Sequence, residues 1–117
     1  MHYRVLGRTG IRVSEIGLGA WVIGTDMYGT HDRERDIALI RTALDLGINT
    51  FDTADMYGEG LSEKTLGEAL RGYDVNVFTK VGYEVGKAVN GRHVQNFSIN
   101  YIVNAVRESY NRLGRRI

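Results

Sequence analysis

Asp52, Tyr57 and Lys80 are the residues of this chain whose types and spacing point to chemistry. Asp52 and Tyr57 lie in FDTADMYGEGLSEKTLGEAL, residues 51–70, where a short loop runs into a well-marked helix; Lys80 ends the β-prone run NVFTK, residues 76–80. A tyrosine used as a general acid has an ordinary pKa near 10, poorly matched to neutral pH, so it needs a positive charge beside it to stabilise the phenolate. Lysine can supply that charge. At ~4 Å and an effective dielectric of ~20 the attraction is about 4 kcal/mol, which lowers a phenol by up to ~3 units before lysine desolvation is discounted. A carboxylate next to the lysine keeps the ammonium charged and oriented, because an unpaired ammonium in a cleft drifts towards neutrality. The plain alternative is that Asp52 caps a turn and Lys80 pairs with it on the surface, and spacing alone does not separate the two.

Those three side chains need elements that bring them together. In residues 1–14, Tyr3, Val5, Ile11 and Val13 alternate with polar residues on either side of Gly7-Arg8-Thr9-Gly10, as in a β-hairpin. A third short run, residues 15–18, follows. Ile37, Ile40, Ala43 and Leu44 then fall at helical spacing, with Thr30 or Asp32 as N-cap and Gly47 as the stop. INTFD, residues 48–52, is a short strand; the next helix has Ser62 as N-cap, Glu63 at the first position, Leu61 stapled to Leu66, and Leu66, Ala69 and Leu70 as its buried face. After NVFTK a glycine-containing loop, residues 82–97, is long enough to suggest function. Ser98 caps a third helix, apolar at Ile102, Ala105, Val106 and Leu113.

The order hairpin, β, α, β, α, β, α calls for parallel strands with right-handed crossovers and helices outside. Strands starting near Ile16, Ile48 and Asn76, about thirty residues apart, have the rhythm of a (β/α)8 barrel, in which residues at the C-terminal ends of strands carry the chemistry. A complete barrel takes ~250 residues. The fold class is therefore α/β: residues 1–117 form the N-terminal portion of a (β/α)8 barrel, with residues 1–14 as a β-hairpin and residues 15–117 as about three βα units. Three parallel strands leave two open edges and an apolar inner face. Residues 1–117 are accordingly expected to self-associate, or to pair with the remainder of the barrel in a longer protein.

Composition narrows the partners. The net charge of +1 gives no broad field for nucleic acid or an anionic membrane, and the arginines of RLGRR are expected after a helix C-terminus. No apolar run reaches the ~20 residues of a membrane span, and MHYRVLGRTG lacks a signal-peptide core. The absence of cysteine removes disulfides and thiolate chemistry and makes the cytoplasm the default location. His2, His31 and His93 are scattered without metal-ligand spacing, so no metal is expected. The glycines of GLGAWVIG and MYGEG do not form a strand-to-helix phosphate fingerprint. A small-molecule or protein partner remains. Asp55 is assigned a turn role, and Trp21 and Tyr28 either line a substrate pocket or pack within their loop.

GINTFDTADMYGEGLSEKTLGEAL, with IGLGAW before it and VFTKVG after it, resembles the aldo-keto reductases, and the likeness extends from LGRTGIRVSEIGLG to ESYNRLGRR. The resemblance implies a (β/α)8 barrel that reduces an aldehyde or ketone with NADPH or NADH, the tyrosine protonating the carbonyl oxygen. It assigns Asp52, Tyr57 and Lys80 to three members of the catalytic tetrad, and Gly19, Ala20 and Trp21, with Asp52, to the cofactor side. The fourth member, a histidine, is expected a few residues beyond Ile117, and the loops that clamp the cofactor further on. A catalytically inactive barrel segment acting as an assembly or binding module is the competing reading.

Overall fold

The alternation in residues 1–14 closes as an antiparallel hairpin of β1 (Tyr3–Val5) and β2 (Arg12–Ser14), in a computed structural model that describes every residue except Tyr28. Three strands then run parallel in the order β3 (Leu18–Gly19), β4 (Thr50–Asp52) and β5 (Asn76–Phe78). Their register places Leu18 beside Phe51 and Phe51 beside Val77, and Gly19 beside Asp52 and Asp52 beside Phe78. The helices α1 (Arg33–Asp45), α2 (Leu61–Ala69) and α3 (Ile99–Leu113) follow these strands, so the sheet is the first arc of a (β/α)8 barrel.

Side-chain alternation divides the sheet into two faces. Phe51, with no exposed surface, points towards the helices and packs with Ile23, Ile40, Ala43, Leu66, Ala69, Leu70 and Leu113; Leu18 and Val77 flank it. The opposite, concave face carries Gly19, Thr50, Asp52, Asn76 and Phe78. It is largely polar, where the sequence led us to expect an apolar inner face. Among the described residues β3 and β5 are the edge strands, and Val77, Val81, Val106 and Ile117 line a groove along the β5 side. Val106, expected in the core, is 41% exposed there, while Ser109 takes a fully buried place on α3.

The helix signals hold in two cases and shift in one. Asp32 caps α1 by accepting from Glu34 N at 2.9 Å and Arg35 N at 3.1 Å, and Ser98 caps α3 by accepting from Tyr101 N. Helix α2 begins one residue before the expected cap: Gly60 is its N-cap and makes no side-chain cap bond, so Ser62 and Glu63 lie inside the first turn. The stretch expected to be an irregular loop, residues 82–97, is a second hairpin of β6 (Tyr83–Val89) and β7 (Arg92–Gln95). Its tip is Asn90-Gly91, both with positive φ, the dipeptide that two-residue hairpin turns favour.

The first hairpin seats itself across the N-terminal ends of the parallel strands. Asn49 Nδ2 and Asn76 Nδ2 both donate to Arg12 O, at 3.0 and 2.9 Å, Ser14 N donates to Asn49 Oδ1 at 2.7 Å, and Tyr3 OH donates to Gly47 O. That end is thereby closed, and the C-terminal ends of the strands remain free for loops. No helix among the described residues is long and apolar enough to cross a membrane.

Helices α2 and α3 approach closely at Gly67, where an added Cβ would lie 2.6 Å from Leu113 O and 2.7 Å from Arg112 O. Glycine costs a helix interior ~1 kcal/mol relative to alanine, so propensity alone favours Gly67→Ala. The obstructing atoms are backbone and cannot swing aside, and overpacking of this kind costs about 1–3 kcal/mol. Gly67→Ala is expected to lower the urea midpoint of unfolding; a raised midpoint would show that α3 moves off freely.

Candidate active site

The site begins with backbone. Beyond β4 and β5 the chain keeps pairing: Thr53 N donates to Phe78 O at 2.8 Å and Asp55 N to Lys80 O at 3.1 Å. This ladder carries the loop after β4 alongside Lys80 and turns it, through Tyr57 N to Ala54 O, into the 3₁₀ turn Tyr57–Gly60. On the other flank Ala20 N donates to Asp52 O at 2.8 Å. Asp52, Tyr57, Lys80, Gly19 and Ala20 are thus brought to the C-terminal ends of three adjacent strands.

Lys80 is the centre of the group. Its Nζ lies 2.8 and 2.9 Å from the two oxygens of Asp52, donates to Thr53 O at 2.7 Å, and sits 5.2 Å from the centroid of the Tyr57 ring. The ammonium therefore meets the face of the phenol ring, a cation–π position, rather than pairing with it edge on. The Lys80 and Asp52 side chains are 51% and 55% exposed, a setting in which an ion pair adds little stability. Its effect is orientation: the carboxylate and the carbonyl aim the ammonium at the ring. Trp21, one residue beyond buried Ala20, is 52% exposed on the loop after β3. Tyr28, named with it as a pocket residue, lies outside the described residues.

Under these loops is a buried polar network that residue spacing did not reveal. Glu63, with no exposed surface, accepts from Arg112 Nε at 2.6 Å and from Thr79 Oγ1 at 2.6 Å, and Arg112 also donates to Ser109 Oγ. Ser62 Oγ donates to Ala20 O at 2.9 Å and lies 3.0 Å from Thr53 Oγ1. The first turn of α2 thereby contacts the loops after β3, β4 and β5 together with α3. From spacing alone Ser62 reads as a cap, Glu63 as a partner of the helix dipole, and the arginines of RLGRR as dipole partners at a helix C-terminus. Their sequence signal was the adjacent polar pair at the very start of a helix whose next apolar residues face the core.

Asp55, set aside as a turn residue, is 2% exposed, and its Oδ2 has no hydrogen-bond partner. Burial first, and the Glu63 carboxylate second, push its pKa up to about 6, partly offset by the Met56 amide and Arg112. It faces a cavity between β6 and α3 that Tyr101, Glu108 and Arg112 also line. Burial likewise raises the Tyr101 phenol, whose hydroxyl donates to Tyr83 O.

Comparison with known proteins places this geometry in context. The family model described as Aldo/keto reductase family matches residues 15–116. Aldo-keto reductase YhdN of Bacillus subtilis is 48% identical over 73 residues, 62% of this chain and 22% of that protein. A protein of Schizosaccharomyces pombe named as a putative voltage-gated potassium channel subunit beta is 36% identical over 96% of this chain and 33% of its own length. Among solved structures, the holo form of aldo-keto reductase AKR11C1 from Bacillus halodurans superposes with a TM-score of 0.83 at 38% identity, covering 97% of this chain and 37% of that one. The chain therefore spans about a fifth to a third of the length of these two curated relatives.

The Asp55 carboxyl gives a signed expectation. Its folded-state pKa of about 6 lies above the ordinary 3.8, so the stability it allows is fully present below 3.8 and is lost as the pH rises through about 6. Asp55→Asn removes that loss. The stability advantage of the variant over wild type should grow by about 2 kcal/mol between pH 4 and pH 8, measured by urea unfolding at both pH values. An advantage that stays constant with pH would mean that Asp55 ionises without cost.

Proposed function

The chain belongs to the aldo/keto reductase family, and from that premise we propose that Asp52, Tyr57 and Lys80 form the reacting part of an oxidoreductase site that reduces an aldehyde or ketone. The observation that carries the reading is the Lys80 ammonium held by the Asp52 carboxylate and facing the Tyr57 ring at 5.2 Å. Tyr57 acts as general acid and gives its hydroxyl proton to the carbonyl oxygen as the carbon is reduced. Lys80 stabilises the negative charge left on the phenolate. Asp52 keeps that ammonium in place, and the ladder from Thr53 to Asp55 fixes where Tyr57 emerges.

The residues present fit a nicotinamide cofactor. Gly19 has no heavy atom within 4 Å of where a Cβ would stand, and it sits beside Asp52 and next to the loop of exposed Trp21, an open surface suited to a flat ring. Gly19, Ala20, Trp21 and Asp52 are the residues proposed to hold it. When bound, NADPH or NADH supplies the hydride for the reduction.

A second reading has an observation of its own. Two relatives that align with nearly the whole chain are named as voltage-gated potassium channel subunits beta, one from Schizosaccharomyces pombe and one from Oryza sativa. This favours a protein-binding module in which the three residues are retained without turnover.

The two readings part in one assay. With NADPH and a reactive aldehyde, the whole protein should consume reduced cofactor, followed by loss of its absorbance. Tyr57→Phe should lower kcat by about 10²–10⁴-fold while cofactor binding persists, as expected when a general acid is removed. Turnover that survives the substitution would rule out Tyr57 as the acid, and a wild type that neither turns over nor binds cofactor would favour the binding module.

A further inference from the structure

We propose that Asp36 on α1 is a positioning residue for Tyr57, acting by clamping the loop after β3 against the turn that carries the tyrosine; this rests on the reading of Tyr57 as the general acid. Asp36 Oδ2 accepts a hydrogen bond from Gly24 N at 2.9 Å, twelve residues away on a different segment, and His31 Nδ1 lies 3.1 Å from the same oxygen. An acidic residue in the first turn of a helix is ordinarily explained by the helix dipole. That account is incomplete here. The exposed amides of Glu34 and Arg35 at the start of α1 are already taken by Asp32, and the Asp36 carboxylate, 15% exposed, is committed to the loop instead.

Gly24 passes the constraint on. A Cβ at Gly58 would stand 2.3 Å from Gly24 O and 3.0 Å from Gly24 C, so the two backbones touch with no room for a side chain between them. Gly58 also has φ +56, a conformation that disfavours any L residue. Gly58 directly follows Tyr57. The path is therefore Asp36 carboxylate, Gly24 amide, Gly24 carbonyl, Gly58 backbone, Tyr57. At its other end the loop is pinned at Ala20, which donates to Asp52 O and accepts from Ser62 Oγ. Ile23 between the two anchors is fully buried, and Trp21 and Val22 are the exposed residues they hold in place. With the Gly24 anchor removed, the loop can lift and the Tyr57 turn loses the wall it rests on.

Trp21 is the only tryptophan within residues 1–117, so in the whole protein, with any tryptophan outside this range replaced by phenylalanine, its fluorescence reports the loop independently of catalysis. In the whole protein, Asp36→Ala should increase acrylamide quenching and lower the fluorescence anisotropy of Trp21. It should also reduce kcat about 10–100-fold with KM little changed, the scale expected when a reacting group is misplaced by about 1 Å. Asp36→Asn keeps an oxygen to accept from Gly24 N and should stay within a few-fold of wild type in both readouts. Gly58→Ala, pushing from the other side, should also loosen Trp21. The proposal is overturned if Asp36→Ala lowers the melting temperature but leaves Trp21 anisotropy and kcat per folded molecule unchanged, or if Asp36→Asn is as impaired as Asp36→Ala. A wild type without carbonyl reduction would sink the reductase reading, and the Trp21 measurements would still decide whether the clamp exists.

Discussion

The buried ion pair between Glu63 and Arg112 is the constraint on which the rest of the arrangement depends. A carboxylate with no exposed surface is tolerated only if its oxygens are occupied, and Arg112 and Thr79 occupy both. Such a pair is not strong evidence of net stability, but breaking one partner away is costly, so it specifies an arrangement more than it strengthens one. It ties α3 to the first turn of α2, and Gly60 sits beneath Arg112, where an added Cβ would come within 2.8 Å of Cδ. The loop that carries Tyr57 then spans two fixed points, Asp52 at the end of β4 and Glu63 in α2.

Of the side chains proposed to react, Asp52 and Lys80 are half exposed and Tyr57 is partly buried, and their own charges hold them weakly. Their precision comes from neighbours that are buried: the strand-like extension of residues 53–55 along residues 78–80, the Ser62 hydroxyl under Ala20, and the glycine backbones of the two loops in contact. The opposite end of the sheet is secured by two asparagine amides that bond the same carbonyl of Arg12. The ends of the strands are thus treated differently, one sealed by a hairpin and one left to loops, and the proposed site lies at the second.

Much of this was legible in the sequence where one physical rule dominates. Apolar spacing marks the three helices, Asp32, one of two candidates with Thr30, and Ser98 cap the first and third, and the β-prone runs lie in the parallel order. Asp52, Tyr57 and Lys80 are brought together as their places at strand ends imply. What was missed depends on long-range partners. Ser62 has the composition of a cap, yet the chain gives that place to Gly60 because the Ser62 hydroxyl bonds Ala20 and Thr53. Glu63 and Arg112 are forty-nine residues apart, and no local pattern announces their pairing. The second hairpin is a different case: Asn90-Gly91 was a readable turn signal, obscured by the several glycines around it.

The outer side of β5 carries a further consequence, for biosynthesis. Parallel strands pair only after their crossover helix is complete, so each strand added becomes the template for the next as the chain emerges. An exposed edge in that position is also where foreign chains can add. Here β5 has only three residues, Asn76–Phe78, and is bracketed by Asp74 and Lys80, while Arg115 bonds the carbonyls of Leu70, Tyr73 and Val75 just before the strand. Shortness and flanking charge blunt the edge, so a nascent chain carries a guarded growing end rather than a sticky one.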